Sequence, residues 1–301
     1  MMPSNKPMKK IAILWIATII CASCGTKPKS DNQTLYVSIL PLKSIVEGIV
    51  GQGLHIKVLV PAGASPETFE PTPKQVVELN KARMILNVGL IDFETSLLSR
   101  IEDRSKVVDL SRGVELIEGS CTHAATTGKT ASNASEPGHN HAHGVDPHIW
   151  TSPRALQIMA TNAYEAIQRA YPDSVKYRAN FELLMQQLRE LDTRTREKIE
   201  HSGIRYFIVY HPALTYYARD YGIEQVAIES EGKEPSARRL AGIIHNARRD
   251  GVRKIFYQNQ FPASVVEVIA RDIQARYIEI DPLDEQVIPN IDRITDLITE
   301  P

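Results

Sequence analysis

From Thr34 onward the chain alternates short runs of β-branched and aliphatic residues with amphipathic segments. Leu35 to Leu40, His55 to Val60, Met84 to Val88 and Val107 to Leu110 read as strands. Between them, Ser44 to Gly51, Lys74 to Lys81 and Phe93 to Glu102 carry apolar residues at helical spacing. Strands separated by helices imply βαβ units, because parallel neighbours need a crossover connection. A second series repeats the theme with strands at Tyr206 to Tyr210, Gln225 to Glu229, Lys254 to Tyr257 and Tyr277 to Ile280. Its helices fall at Ser236 to Arg249, Ala263 to Gln274 and within Glu285 to Thr299. The pattern predicts an α/β fold of two lobes with mostly parallel sheets.

Between the two series lies a stretch with no internal Gly or Pro, Ser174 to Glu200, in which Phe181, Leu184, Leu188 and Leu191 form one apolar stripe. At 1.5 Å per residue such a helix spans roughly 40 Å, the length of a two-lobed molecule. The expected organisation is therefore an N-terminal lobe over 34–172, a linking helix over 173–201 and a C-terminal lobe over 203–301. A length of 301 residues with 43% hydrophobic content supports two buried cores. With 35 basic against 36 acidic residues, and no segment rich in Lys and Arg, nucleic-acid binding is not expected.

The first 24 residues read as an export signal: Lys6, Lys9 and Lys10 precede the apolar run Ile11 to Ile20, which is too short to span a bilayer as a mature helix. Cys21-Ala22-Ser23-Cys24 resembles a bacterial lipobox, with Cys21 where Leu is usual, and makes Cys24 the expected acylated N-terminus. A lipid-anchored, mildly acidic domain outside the cytoplasmic membrane follows. Of the three cysteines only Cys24 and Cys121 survive cleavage, so no disulfide framework is predicted.

Residues 120–146 differ in kind, being poor in large apolar side chains and rich in Ala, Thr, Ser, Asn, Gly and His. They read as a flexible loop. His123, His139, His141 and His143, four of the nine histidines, make it a weak auxiliary collector of transition metals.

Four further positions pair a metal-compatible side chain with a loop. Glu67 follows the strand ending at Val60, His148 lies in Asp-Pro-His-Ile-Trp (146–150), His211 follows Tyr210, and Asp281 follows Ile280 in Asp-Pro-Leu. Three of the four fall at carboxyl ends of strands, where open α/β sheets collect ligands. A proline beside each restricts the backbone before any metal arrives. Two imidazoles and two carboxylates suit zinc, or manganese or iron if the carboxylates bind through both oxygens. Glu70 is a fallback carboxylate whose expected place is the surface. Glu234-Pro235-Ser236 reads as a cap for the following helix.

These residues resemble a known family, the zinc and manganese substrate-binding lipoproteins of bacterial ABC importers, over roughly residues 35–300. The motifs carrying the resemblance are the Pro-x-Gly-x-x-Pro loop at 61–66, Asp-Pro-His-Ile-Trp at 146–150, His-Pro-Ala at 211–213, Glu-Pro-Ser at 234–236 and Ile-Asp-Pro-Leu at 280–283. The resemblance implies two Rossmann-like lobes joined by a rigid helix, with a metal in the cleft held by His148, His211 and Asp281. It also implies delivery to a membrane permease by a monomeric carrier that is not an enzyme. As the alternative to the cap at 234–236 it implies a place for Glu231 or Glu234 behind the metal ligands. This chain departs from the pattern at Pro66-Glu67, where the family usually has Pro-His. Glu67 either ligates in the histidine's stead or leaves a three-residue site completed by water. The His-rich loop resembles that of zinc-specific members and points to zinc, whereas a carboxylate in place of imidazole favours manganese or ferrous iron. Two other function classes stand beside this one: a zinc-dependent hydrolase with Glu67 as general base, and a storage or adhesin lipoprotein working through its His-rich loop. Neither a His-Glu-x-x-His nor a Gly-x-Ser-x-Gly motif is present to favour the hydrolase.

Overall fold

The computed structural model describes residues 31–118, 144–172, 174–229, 235–261 and 263–300. The export segment with Cys24, Cys121, the histidines 123, 139, 141 and 143, and the glutamates 231 and 234 lie outside the described residues. Among the described residues no helix is long and apolar enough to cross a membrane.

The N-terminal sheet is built from β1 (Asp31–Val37), β2 (His55–Val58), β3 (Ala82–Asn87) and β4 (Val107–Asp109), all parallel, in the order β2-β1-β3-β4. The C-terminal sheet repeats that order with β5 (Tyr206–Val209), β6 (Glu224–Ala227), β7 (Lys254–Gln258) and β8 (Arg276–Ile280) arranged β6-β5-β7-β8. The expected strands are all present. The first stops sooner than its apolar run, because Leu40 already opens α1 (Leu40–Val50) and Pro41 in its first turn has no N–H for a ladder. At the second, Leu59 and Val60 still donate to the carbonyls of Val37 and Ser38 at 2.9 and 3.0 Å, so the ladder outlasts the regular strand.

Helices start where the sequence supplies caps. Thr72 and Gln75 form a reciprocal capping box before α2 (Pro73–Lys81), and Ser236 caps α7 (Ala237–Arg249), as expected of the Glu-Pro-Ser segment. The short α3 (Asp92–Leu98) completes the N-terminal crossovers. Two helices have no counterpart in the hydrophobic pattern. In α4 (Pro153–Ala170) half of the buried face is alanine, at 155, 160, 163 and 166, small side chains that mark a buried face less plainly than Leu or Ile. In α6 (Thr215–Tyr221) seven residues are too few to show a period.

The long helix α5 (Val175–Ser202) ends at Gly203, whose φ of 65° is a left-handed cap. Leu184, Leu188, Leu191 and Ile199 are buried, and Phe181 stacks on Tyr164 with ring centroids 4.2 Å apart. The helix packs on α1 and α4 of the first lobe and on α9 (Val287–Thr299) of the second. At Gly48 of α1 a Cβ would sit 3.3 Å from Leu184, which shows how closely the two helices approach. One continuous apolar core therefore runs from the N-terminal sheet past α5 to the inner face of the C-terminal sheet, including Phe207, Val209, Phe256 and Ile280. The alternate residues Ile208, Tyr210 and Ile255 face a second core under α7 and α8 (Ala263–Ile273). Polar contacts also tie the C-terminal lobe to the first lobe, Lys43 to Glu285 at 2.6 Å and Trp150 Nε1 to the Pro282 carbonyl at 3.0 Å, and to the long helix, Lys198 to Asp292 at 2.8 Å.

Candidate metal centre

Parallel strands deliver their carboxyl ends to one side, and in both lobes that side carries the residues singled out above. His211 lies two residues beyond β5, beside the end of β7. Strand order reverses between those two strands, and at this switch point the side chain of Gln258, the last residue of β7, reaches across. Gln258 Oε1 accepts the His211 N–H at 3.2 Å and its amide donates to the His211 carbonyl at 2.7 Å, so both backbone polar groups of His211 are fixed. His148 enters from the other lobe, immediately before a 3-10 turn at Ile149–Thr151 that leads into α4. Glu67 comes from the loop between β2 and α2.

The three converge. Their ligand atoms all lie within 4.8 Å of one another. His211 Nε2 stands 3.2 Å from His148 Nε2 and 3.1 Å from Glu67 Oε1, and His148 Nε2 is 3.8 Å from the same oxygen. Two ligands bound at about 2.0–2.1 Å to a tetrahedral ion stand roughly 3.3 Å apart, so the triangle already has the edge lengths of a zinc site. Both histidines are buried, and Glu67 is the partly exposed member.

Each imidazole is held from behind. His148 Nδ1 lies 2.9 Å from Asp146 Oδ1, which also accepts the His148 backbone N–H at 2.9 Å. His211 Nδ1 lies 3.3 Å from both oxygens of Glu229. A proton on Nδ1 pointing to a carboxylate leaves the lone pair of Nε2 facing the centre, which is the tautomer a metal needs. Ring faces are fixed by apolar neighbours, with Phe261 stacked on His211 at 5.0 Å and Trp150 against His148 at 5.1 Å.

The charge balance follows from burial and pairing. Burial alone disfavours the His211 cation, but hydrogen bonds to Glu229 and Glu67 outweigh it and raise the imidazole to about 9. Burial pushes the Glu67 carboxyl upward, and contact with His211 and His148 more than reverses this, leaving it below its ordinary range. Asp146 is likewise held low, its burial overcome by His148. Without a metal, pairing with Glu229 and Glu67 thus favours the protonated form of His211.

Asp281 does not join the triangle, although its neighbours Pro282 and Leu283 line the cavity. Its Oδ1 accepts the Leu283 N–H at 2.9 Å and the Gln260 amide at 3.3 Å, and Gln260 lines the cavity together with Glu67, His148 and His211. Glu70 is exposed, matching its expected surface place. The cavity has a volume of about 20 Å³. That is room for about one water-sized occupant.

Asp146, Glu229, Gln258 and Gln260 were not singled out by residue type. Asp146 stands in the same Asp-Pro-His motif as His148. Glu229 continues the register of the sheet, since Val209 pairs with Ala227 and the chain two residues on from each gives His211 and Glu229.

Comparison with known proteins places the chain. The family model for the periplasmic zinc-uptake complex component A, ZnuA, matches residues 35–298. The chain belongs to the ZnuA family. The high-affinity zinc uptake system protein ZnuA of Bacillus subtilis is 26% identical over 284 residues, covering 91% of this chain and 87% of that protein. The zinc-binding protein AdcA of Streptococcus pyogenes is 27% identical over 257 residues, or 81% of this chain and 49% of AdcA. The chain thus spans about half the length of the AdcA relatives it matches. Among solved structures, a ZnuA deletion mutant with zinc bound superposes with a TM-score of 0.76 at 30% identity, covering 89% of this chain and 96% of that one. The periplasmic zinc-binding protein TroA of Treponema pallidum shares the fold, with a TM-score of 0.73 at 20% identity and coverages of 89% and 98%. The ZnuA-family architecture of two lobes around a long helix is the one described above.

Proposed function

We propose that this chain captures one divalent cation, zinc, outside the cytoplasmic membrane and delivers it to the permease of an ABC importer, catalysing no reaction itself. The observation that carries this reading is the triangle of Glu67, His148 and His211, with both imidazoles backed by buried carboxylates around a cavity of about 20 Å³. A hydrolase would need room for an organic substrate beside its metal, and small-molecule sites run to about 300 Å³ or more. The names and bound zinc of the relatives agree with the cargo. In this reading Asp281 completes the shell, His123, His139, His141 and His143 collect metal at low affinity, and Cys24 carries the lipid that holds a monomer at the membrane. The lobes extend over 34–172 and 203–301 around the linking helix. Manganese or ferrous iron is the second reading of the cargo, favoured by one observation: a carboxylate, Glu67, stands in the triangle where a third imidazole would select zinc.

Competitive titration of the soluble part, residues 25–301, with zinc and manganese tests the proposal. One tight equivalent of zinc that survives deletion of residues 122–143 is expected. His148→Ala and His211→Ala should each abolish it, because each removes one of two imidazoles. Tight binding that disappears with the loop deletion would overturn the assignment in favour of storage. Unchanged affinity in either histidine variant would remove the centre from consideration.

A further inference from the structure

Both C-terminal candidates for the metal shell are controlled from the end of one strand. Gln258 closes β7 and clamps the peptide of His211, and Gln260, two residues on, reaches Asp281. The Asp281 carboxylate takes both of its hydrogen bonds on the same oxygen. Oδ1 accepts from the Leu283 N–H at 2.9 Å and from the Gln260 amide at 3.3 Å, and among the described residues no donor engages Oδ2. An oxygen with two donors on it has both in-plane lone pairs in use.

We propose that Gln260 is a positioning residue that sets metal selectivity: by occupying Oδ1 of Asp281 it restricts this carboxylate to ligation through Oδ2 alone. The inference rests on the reading of the cleft as a metal site that Asp281 completes. Its consequence is a matter of coordination number. His148 and His211 each give one nitrogen, and Glu67 turns one oxygen, Oε1, toward both of them. One further oxygen from Asp281 makes four ligands, the number zinc prefers. Manganese and ferrous iron favour larger oxygen-rich shells, which carboxylates supply by binding through both oxygens. With Gln260 in place, the second Asp281 oxygen is withheld from them. Without it, Oδ1 retains only the Leu283 N–H and has a lone pair free to ligate.

Gln260 is half-buried and sits past the end of its strand, so replacement by the apolar isostere Met leaves the core intact. The test measures zinc and manganese affinities of the full-length protein and of Gln260→Met, Gln260→Ala and Asp281→Ala by chelator competition. X-ray absorption of the bound zinc is recorded alongside. Both Gln260 variants should narrow the preference for zinc over manganese by about tenfold or more, the usual scale for outer-shell partners. The zinc spectrum should move from four toward five ligands. A merely structural role would weaken both metals equally and leave the spectrum alone, and that result overturns the proposal. If Asp281→Ala weakens zinc binding while the Gln260 variants keep the wild-type ratio, the selectivity role falls and the cleft reading stands. If Asp281→Ala leaves zinc affinity unchanged, Asp281 is no ligand and the proposal falls with that assignment, while the His148 and His211 variants still judge the cleft. Parallel circular dichroism of Gln260→Met and Gln260→Ala identifies an unfolded variant, and the ratio is read from whichever of the two is native.

Discussion

In the proposed metal site His148 and His211 would work through partners that do not touch the cargo. Asp146→Asn or Glu229→Gln keeps the volume but replaces the buried carboxylate behind an imidazole, so the ring loses its preferred tautomer and part of its basicity. Each substitution is expected to cost about 10- to 100-fold in zinc affinity with little change in fold, measured by chelator competition. The raised His211 gives a second prediction. Below about 9 its ring carries a proton that zinc must displace, so apparent zinc affinity should rise with pH until about 9 and level off above it. The metal-free protein should show the opposite trend. A group raised in the folded state stabilises most below its unfolded value of about 6.5, and that stabilisation is lost as pH climbs toward 9. Titrations with a pH-insensitive chelator between pH 6 and 10 check the first trend, and thermal melts of the metal-free protein check the second. A flat affinity profile would show that His211 Nε2 is not where the metal lands.

At the scale of elements, α5 decides whether two lobes act as one body. Leu188 is fully buried midway along the helix, within the core that continues from one sheet to the other. Leu188→Ala should destabilise the protein by about 2–5 kcal/mol in denaturant unfolding, the cost of a core cavity. Because the core is shared, the loss should appear in a single transition rather than in one lobe only. The elements were also where sequence reasoning succeeded unevenly. Strands and the long helix were legible because their apolar residues keep a period of two or of 3.6. The alanine-rich α4 and the seven-residue α6 were not, since small residues mark a buried face weakly and seven residues show no period. Glu67 and His211 could be named from residue type, neighbouring proline and place after a predicted strand, and His148 from residue type and its Asp-Pro-His motif. Their supporters Glu229 and Gln258 could not, because each acts from an adjacent strand and only the sheet register brings it to the site. Gln260 is hidden for a further reason: nothing in its chemistry marks it until Asp281 is seen beside it.

For the molecule as a whole, cargo and fold should stabilise each other. In the proposed site an ion held by both lobes would bind the native state alone, so zinc at 100 times its dissociation constant should add about 2.7 kcal/mol and raise the melting temperature by a few degrees. Differential scanning calorimetry with and without zinc measures this, and His211→Ala should lose the gain. The increase in stability should come with little change of shape. A continuous helix packed on both lobes, a common core and the Trp150–Pro282 and Lys43–Glu285 contacts oppose hinge motion. Small-angle scattering of the metal-free and zinc-loaded protein should give nearly the same radius of gyration.

The two imidazoles that meet across 3.2 Å are 63 residues apart along the chain, one in each half, and the carboxylate behind the second arrives later still. A chain still being synthesised, or one whose second half has not yet folded, therefore holds only fragments of a binding site and cannot compete for scarce metal. With the proposed site as the one that is filled, occupancy would be a certificate of completion: a loaded molecule would be one in which both halves are made, folded and docked.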